Sequence, residues 1–599
     1  MAWYDEAVFY HIYPLGLTGA PKQNDYGEPV HRLNTLLPWV DHIKEIGGSA
    51  LYIGPLFESV GHGYETTDYK KLDSRLGTNE DLTAFVAYCH EQGIKVIFDG
   101  VFNHTGRDFF AFKDIQANRE NSQYKDWYCN VNFWGNNEYN DGFSYDNWGG
   151  YNLLVKLNQK NPAVVDYICD VIRFWVSEFD VDGIRLDAAD VLDFDFMKAL
   201  RRTANEVKPD FWLMGEVIHG DYSRWVNGET LHSVTNYTLH KALYSGHNDH
   251  NYFEITHTVR RLQNMGTLKL YNFVDNHDVE RIYTKLTNKA HFAPVHVLLY
   301  TLPGVPSIYY GSEFGIEGRK EYGSDDSLRP ALNIEDYKDS VKTNPCTALI
   351  AALGKVRQAV PALSYGSYDE LMLTNRQFAY ARDLDGTRVI VSVNNDDAPA
   401  GMHLAAGNCT AYIGALSGEK VSVQDGHINI TQPANSGEIW VPDGTDLDVK
   451  PVKVVTKTES EAKTNTEDKA ASETATDAKG NKGAEPKIES KESKDIVTAT
   501  ESADAKKNTT NTEKNISAAN EVKDSAKDAS AQAAADTPVD PETITVDWSK
   551  SPESMTVPEL QAAILAKLAG NGPVDAQMKK TVTDNIWHDS LVNWLKSFR

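Results

Sequence analysis

VDGIRLDAAD, residues 181–190, predicts a short buried strand that ends in a carboxylate. Because alternate side chains of a strand lie on the same face, Arg185 and Asp187 should lie together, opposite Ile184 and Leu186. A neighbouring positive charge favours the ionised form of a carboxylate, so we expect Arg185 to keep Asp187 ionised. An ionised, buried carboxylate can act as a nucleophile. The alternative, a structural ion pair at the end of a strand, fits this stretch alone equally well.

Apolar strands alternate with helices on both sides of this stretch. Continuous runs such as IKVIF, residues 94–98, are typical of parallel strands buried on both faces. Eight strand–helix units fit within about 360 residues, which predicts an α/β fold with a (β/α)8 barrel. The barrel is assigned to residues 1–104 and 159–361. Residues 105–158, rich in Asn, Gly, Asp and aromatic side chains, are predicted to be a domain inserted after the third strand.

Three further segments follow the predicted barrel. Short alternating runs in residues 362–445 predict an antiparallel β-sandwich. Residues 446–545 contain no Phe, Tyr, Trp or Cys and are predicted to be a disordered linker, because they cannot bury enough apolar surface to offset the entropy of ordering. Residues 546–599 carry apolar stripes at helical spacing and predict a small helical module. This module is either a self-contained bundle or a binding module for an unknown partner.

Charge and composition exclude several classes of protein. The formal net charge is −26, whereas nucleic-acid binding requires a basic surface. No run approaches the roughly 18 apolar residues of a membrane span. The N-terminal residues have no basic region followed by an apolar one, so we expect no secretory signal and a cytoplasmic protein. The five cysteines are scattered, without a CxxC pair, and predict neither a disulfide framework nor a zinc site.

Polar clusters follow several of the predicted strands. Four of them stand where a strand should end: DGVFNH (residues 99–104), DGIRLD (182–187), MGEV (214–217) and FVDNHD (273–278). Since barrel active sites lie at the carboxyl ends of the strands, these clusters should converge on one face and gather Asp187, Glu216 and Asp278. A retaining glycosidase needs one ionised and one protonated carboxyl group about 5–5.5 Å apart. The apolar residues that precede Glu216 favour its protonated form.

These four stretches, in this order, resemble the α-amylase superfamily, glycoside hydrolase family 13, from about residue 5 to about residue 445. The resemblance implies an enzyme that acts on α-linked glucan oligosaccharides by a retaining double displacement. It implies that Asp187 is the nucleophile, Glu216 the general acid/base and Asp278 the carboxylate that binds ring hydroxyls and stabilises the transition state.

The same resemblance implies a set of substrate-binding residues: Tyr64, His104, Arg185, His277 and Arg329. Tyr64, in HGYETTDY, would stack on the glucose ring, and the two histidines would hydrogen-bond that ring. Arg185 would position the nucleophile. For Arg329, in SLRP, a structural ion pair is as good an interpretation as a sugar contact.

The chain departs from the calcium-dependent amylases at two places. Lys156 occupies the acidic position of a short motif, here LVKLN, and an ammonium there opposes a cation that prefers oxygen ligands. Asp190 and Val191 stand where those enzymes have Lys-His. We therefore expect no metal and no cofactor. LVKLN resembles more closely the cyclomaltodextrinase and neopullulanase branch, which acts on maltodextrins, although that branch usually carries an additional N-terminal β domain.

The leading interpretation is a hydrolase that cuts α-1,4 bonds of maltodextrins, and two alternatives remain open. A glucanotransferase would share its first step and use a sugar hydroxyl in place of water in the second. A non-catalytic carbohydrate-binding homologue is disfavoured because all three acids are intact. Aromatic residues of the insertion could stack on sugars, although more of them are expected to form the core of the inserted domain. They include Trp127, Tyr128, Phe133, Trp134 and Trp148.

Overall fold

The computed structural model describes the chain in these ranges: residues 2–266, 268–321, 324–449, 451–452, 546, 548, 550–552, 555–569, 582 and 595. Two compact units divide the chain: Met1–Asp495 and Ile496–Arg599. The predicted disordered linker lies outside the described residues, apart from positions 446–449 and 451–452. None of the helices in the described ranges is long and apolar enough to cross a membrane.

Strands and helices alternate through the first part of the chain. The strands up to residue 361 are β1 (Phe9–Ile12), β2 (Ala50–Ile53), β3 (Phe57–Ser59), β4 (Thr66–Leu72), β5 (Lys95–Gly100), β6 (His104–Thr105), β7 (Asn147–Trp148), β8 (Tyr151–Lys156), β9 (Gly183–Leu186), β10 (Trp212–Gly215), β11 (Ser233–Val234), β12 (Tyr271–Asn272) and β13 (Val305–Tyr309).

The accompanying α-helices are α1 (Pro14–Leu17), α2 (Leu37–Glu45), α3 (Asn79–Glu91), α4 (Phe110–Asn118), α5 (Pro162–Phe179), α6 (Phe194–Val207), α7 (Tyr237–Asn248), α8 (Tyr252–Asn264), α9 (Ile282–Lys285), α10 (Phe292–Thr301), α11 (Ser340–Thr343), α12 (Pro345–Ala359) and α13 (Ala362–Tyr365).

Eight of the strands form a parallel sheet in the order β11-β10-β9-β5-β2-β1-β13-β12. Thr235, directly after β11, bridges Tyr271 in β12 and so closes the sheet into a barrel. The prediction of a (β/α)8 barrel is confirmed. Large side chains from alternate strand positions, including Phe9, Trp212 and Tyr271, pack together in a core cluster of their own.

Local sequence signals fix the bounds of the elements around β9. Helix α5 begins with Pro162 after Asn161, whose side chain accepts a hydrogen bond from the Ala163 amide at 2.9 Å. The helix ends at Asp180, which has a left-handed backbone with φ of 53°. A Cβ on Gly183 would lie only 2.5 Å from the Trp212 carbonyl oxygen, so glycine allows β9 to pass close beside β10.

The segment between β5 and α5 contains helix α4 and the antiparallel sheet β6-β8-β7. His104 in β6 pairs with Lys156 in β8, so this sheet starts at the end of the third barrel strand. Trp127 and Tyr128 are buried there and belong to the main hydrophobic core. Most of the aromatic content of this segment therefore serves packing, as the composition predicted.

The β-sandwich prediction is confirmed for the residues that follow the barrel. Its strands are β14 (Ser367–Leu373), β15 (Gln377–Leu384), β16 (Thr387–Asn394), β17 (Ala400–Ala405), β18 (Ala411–Gly414), β19 (Lys420–Ser422), β20 (His427–Gln432) and β21 (Ser436–Pro442). A six-stranded sheet, β14-β15-β16-β21-β18-β19, accompanies the pair β17-β20. Ala379, Leu404 and Trp440 belong to the apolar cluster that these strands share.

In the second unit the structure describes helix α14 (Val557–Ala569). Thr556 before Val557 and Pro558 predicts the start of this helix, and the Thr556 amide donates to the Glu559 carboxylate at 2.7 Å. Leu560, Ile564 and the single described positions Val582 and Leu595 belong to one core cluster. The rest of the second predicted stripe of this module lies outside the described residues.

Candidate active site

The carboxyl ends of neighbouring barrel strands carry the polar side chains of the candidate site. Asp99 lies in β5, Arg185 lies in β9, and Asp187 is the first residue beyond β9. Glu216 directly follows β10, and Asp278 lies in the loop after β12. Because all of these strands are parallel, the side chains meet at one face of the barrel.

The Arg185 guanidinium is the centre of this cluster. Its Nη1 donates to Asp99 Oδ1 at 2.9 Å and to Asp187 Oδ1 at 2.8 Å. Its Nη2 lies 3.0 Å from Glu216 Oε2. One positive charge is thus shared by three carboxylates that come from three different strands. Asp187 contacts one terminal nitrogen of the guanidinium, and Glu216 contacts the other.

Solvent exposure divides the cluster into buried and reachable groups. The side chains of Asp99 and Arg185 are 0% and 4% exposed, whereas those of Asp187, Glu216 and Asp278 are 11%, 15% and 32% exposed. The three predicted acids can therefore touch a ligand in the cleft. Arg185 itself is buried and contacts the carboxylates of Asp187 and Glu216.

Asp99 and two tyrosines support the cluster from below. Asp99 pairs with Arg185 in the register of β5 and β9, and its Oδ2 accepts from the Tyr52 hydroxyl at 2.8 Å. The Tyr64 hydroxyl donates to the same oxygen at 3.2 Å. The predicted site omitted Asp99 and Tyr52. Asp99 could have been found from the sequence, because it begins the polar cluster DGVFNH at the end of a predicted strand. Tyr52 could not, because it lies within an apolar strand.

The electrostatics of Asp187 differ from the sequence-based expectation. Burial raises the pKa of Asp187 well above its ordinary value; the Arg185 guanidinium acts in the opposite direction, and the charges of Glu216 and Asp99 raise the pKa further. The expectation that Arg185 keeps Asp187 ionised had the right sign for the effect of the arginine but left out burial and the two neighbouring carboxylates. It counted one ion pair, whereas the same guanidinium also neutralises two other carboxylates.

Glu216 is held at both carboxylate oxygens by polar groups. Its Oε2 accepts from the Ala188 amide at 3.3 Å, in addition to its contact with Arg185. Its Oε1 accepts from the Tyr237 hydroxyl at 3.2 Å, and the Asn276 side-chain amide donates to that hydroxyl at 3.3 Å. The apolar residues before Glu216 belong to the buried strand β10, whereas the carboxylate itself contacts polar groups, so its immediate surroundings are more polar than predicted. Tyr237 was not foreseen from the sequence.

Several positively charged groups surround the Asp278 carboxylate and compensate its negative charge. Arg329 Nη2 donates to its Oδ1 at 2.9 Å, and His277 Nε2 lies 3.1 Å from its Oδ2. Burial opposes ionisation, yet His277, Arg329, Arg185 and Lys320 together hold the pKa of Asp278 below its ordinary range. The carboxylate form of Asp278 is therefore favoured at neutral pH.

The predicted ring-binding residues lie beside this carboxylate. The rings of Tyr64 and His277 stack with centroids 5.8 Å apart, and the Tyr64 hydroxyl contacts His277 Nε2. Burial lowers the pKa of His277 and of His104 to about 3, so both imidazoles are neutral. His104 Nε2 is buried and has no hydrogen-bond partner among the described residues. A neutral imidazole with a vacant nitrogen suits a neutral hydroxyl-bearing ligand.

Arg329 contacts the site through its ion pairs. Its Nε donates to the His277 carbonyl oxygen at 2.9 Å, and its Nη2 contacts the carboxylates of Asp278 and Asp325. The guanidinium lies over the Tyr13 ring at 4.7 Å. Arg329 therefore orients Asp278, which is the structural alternative weighed for this residue.

No group of three or more His, Cys, Asp or Glu side chains within the described ranges could hold a metal ion. Lys156 lies in β8, where it pairs with His104 in β6. The expected lack of a metal requirement stays a prediction.

A (β/α)8 barrel whose strand ends gather acidic residues around one arginine defines the class of barrel glycoside hydrolases. The family model described as the alpha amylase catalytic domain matches residues 32–355. The chain therefore belongs to the α-amylase family of glycoside hydrolases.

Characterised relatives and solved structures agree with this assignment. The chain is 32% identical over 419 residues to a cyclomaltodextrinase of Thermoanaerobacter pseudethanolicus, covering 66% of this chain and 71% of the relative. It is 29% identical over 473 residues to neopullulanase 2 of Thermoactinomyces vulgaris, covering 73% and 78%. A solved cyclomaltodextrinase structure, 26% identical, superposes with a TM-score of 0.65 over 73% of this chain and 78% of that chain.

Proposed function

We propose that this protein hydrolyses α-1,4-glucosidic bonds of maltodextrins and starch-derived oligosaccharides with retention of anomeric configuration. The observation that carries the proposal is the single Arg185 guanidinium that binds Asp187 and Glu216 through different terminal nitrogens. This shared contact supports assigning the nucleophile to Asp187 and the proton donor to Glu216, because a retaining enzyme needs two neighbouring carboxyl groups. The names of the relatives, cyclomaltodextrinase and neopullulanase, support maltodextrins as the substrate class.

In the first step the Asp187 carboxylate attacks the anomeric carbon while Glu216 gives its proton to the departing glycosidic oxygen. In the second step Glu216 takes a proton from water, and the resulting hydroxyl displaces Asp187 from the sugar. The first step requires a protonated Glu216 and an ionised Asp187 when the sugar is bound.

The remaining predicted residues would bind the ring at the point of cleavage. Asp278, ionised and partly exposed, accepts hydrogen bonds from two sugar hydroxyls in the way that stabilises the transition state. Tyr64 offers its ring face, while His104 and His277 offer neutral nitrogens. Arg329 acts indirectly, by fixing Asp278.

Product analysis tests the proposal directly. Wild-type protein given maltotriose should release glucose and maltose whose new reducing ends are first seen by NMR as the α-anomer. Asp187→Asn and Glu216→Gln should each lower kcat by several orders of magnitude, because each removes a reacting group. Asp195→Asn, on the exposed surface of α6, is the matched control and should keep the wild-type rate.

Three outcomes contradict this assignment. Initial release of the β-anomer would replace retention by inversion. Products longer than maltotriose would indicate a glucanotransferase. Wild-type rates in both acid variants would remove the roles given to Asp187 and Glu216.

The cytoplasmic location predicted from the N-terminal residues stays a prediction.

A further inference from the structure

One aromatic side chain of the insertion stands apart from all the others. The Trp134 side chain is 98% exposed, whereas Trp127, Tyr128 and Phe143 are buried in the core. An indole that is fully surrounded by water does not contribute the hydrophobic stabilisation of the fold that buried aromatic residues usually provide. A function for this exposed ring is therefore worth seeking in the loop that carries it, residues 132–142.

Two arginines hold this loop in one conformation. Arg119 donates to the backbone carbonyls of Asp141 and Gly142 at 3.1 and 2.9 Å. Arg107 makes a two-pronged contact with the Asp141 carboxylate at 2.7 and 2.8 Å, and its guanidinium lies 3.8 Å from the centre of the Tyr139 ring. Charge-assisted contacts of this kind, made from a partly buried base, leave the loop little freedom to fold Trp134 inward.

The backbone at Trp134 is fixed as well. The Trp134 amide donates to the Asn132 side-chain oxygen at 3.0 Å, and the Gly135 amide donates to the Asn132 carbonyl at 3.0 Å. Asn132 in turn pairs with Ser144 through two backbone hydrogen bonds, at 2.8 and 3.0 Å. The indole is thus displayed on a closed turn, so that binding to it costs little ordering entropy.

The surroundings of the indole favour a sugar over a protein partner. Asn132, Asn136 and Asn140 are exposed in the same loop, and the other exposed large apolar side chain of the loop is Tyr139. A protein interface needs a contiguous apolar centre of several residues. A pyranose needs one flat aromatic face for its C–H groups and amides for its hydroxyls.

We propose that Trp134 is the stacking platform of a second α-glucan binding site, outside the carboxylate cluster. The choice of α-glucan as the ligand rests on the proposed function, because Trp134 would bind the same polymer that the active site hydrolyses. Such a site would retain long or branched glucans at the protein and matter little for a ligand as short as maltotriose.

Affinity electrophoresis in native gels containing glycogen tests this site without relying on turnover. Wild-type protein should be retarded by glycogen. Trp134→Ala should lose most of the retardation, with the dissociation constant rising by at least about fivefold, the size of one aromatic contact. Trp134→Tyr, which keeps a stacking ring, should recover much of it. Phe253→Ala removes an aromatic ring that is 47% exposed on helix α8 and serves as the matched control.

Kinetics separate this proposal from the proposed function. For Trp134→Ala, the ratio of kcat/KM on soluble starch to kcat/KM on maltotriose should fall by about fivefold. Equal retardation of Trp134→Ala and wild type would overturn the second site while leaving hydrolysis intact. A dimer that becomes a monomer in Trp134→Ala by sedimentation would also overturn it, because Trp134 would then bind a second copy. If the wild-type protein hydrolyses neither substrate but its retardation by glycogen still depends on Trp134, the proposed function alone would be overturned.

Discussion

At the scale of single residues, three carboxylates surround one guanidinium in a largely buried cluster. Asp99, Asp187 and Glu216 carry more negative charge than Arg185 can neutralise. Buried charge that is incompletely paired costs stability. The arrangement therefore lowers the stability of the folded protein, as active sites commonly do.

Asp187→Asn should stabilise the protein at neutral pH while abolishing activity. Burial raises the folded-state pKa of Asp187, so folding favours the protonated form. The wild type therefore has its full stability below the unfolded-state pKa of about 3.9 and loses stability as the pH rises toward the raised folded-state value. Asparagine is neutral throughout and does not undergo this loss. Thermal denaturation should give a higher Tm for the variant at pH 7.

The pH dependence supplies the internal check for this prediction. The difference in Tm between Asp187→Asn and wild type should shrink as the pH falls below the unfolded-state pKa of about 3.9, because the aspartic acid then becomes protonated in both the folded and the unfolded states. A variant that is less stable than wild type at pH 7 would mean that the ion pair with Arg185 outweighs burial. Asp195→Asn, on the exposed surface of α6, should change Tm only slightly at any pH, because the ion pair of Asp195 with Lys198 is exposed to solvent.

At the scale of secondary-structure elements, the ends of adjacent strands fix the position of Asp99. Gly54 directly follows β2, and a Cβ at this residue would lie 2.4 Å from the Asp99 Cβ and 2.9 Å from the Asp99 amide nitrogen. The two neighbouring strands can approach this closely because Gly54 has no side chain. The approach brings Asp99 within reach of Arg185 and Tyr52.

Gly54→Ala should therefore damage both stability and activity. The added methyl group must push Asp99 and the end of β5 aside, at a cost of about 1–3 kcal/mol in the free energy of unfolding. The shift would loosen the contacts of Arg185 and reduce kcat. Chemical denaturation and maltotriose kinetics measure the two effects. Gly401→Ala in β17, where an added Cβ meets nothing within 4 Å, should change stability by no more than about 0.5 kcal/mol.

A variant Gly54→Ala that retains wild-type stability would show that β5 can move without strain. Retained kcat with reduced stability would show that the position of Asp99 does not govern Arg185. Either result would restrict the role of the strand ends to supporting the fold.

At the scale of the whole molecule, each of the two compact units has a core made of its own side chains. The barrel and β-sandwich share a main core that extends to Val449 and Val452, whereas residues such as Leu560 and Ile564 form a cluster with other residues of their own unit. Units with separate cores usually fold and unfold independently.

Truncation after residue 452 should therefore leave the catalytic unit intact. We expect the same Tm for this unit and the same kcat on maltotriose as in the full chain, because no buried side chain of the main core is removed. Differential scanning calorimetry and a maltotriose assay provide the measurements. Truncation after residue 442 is the matched comparison and should lower Tm, since it also removes Leu447, Val449 and Val452, which pack against the main core. A drop in Tm after the first truncation would mean that the second unit stabilises the first.

The sequence by itself determined the order of strands and helices and the location of the acids at strand ends. Both follow from local properties: the periodicity of apolar residues predicts each element, and a polar residue directly after an apolar strand must lie at its end. The sequence pattern predicts strands at residues 233–237 and 269–274, and β11 and β12 are shorter than this because short strands have weak periodicity. Helix α7 was not predicted.

Only the tertiary structure decided how these residues share charge and which aromatic ring faces water. Asp99 and Arg185 are 86 positions apart, and their contact depends on the register of β5 and β9. The same holds for the contact between Tyr237 and Glu216, and for the two arginines that hold Trp134 outward. Distances between residues that are remote in sequence are set by packing, and no local pattern encodes them.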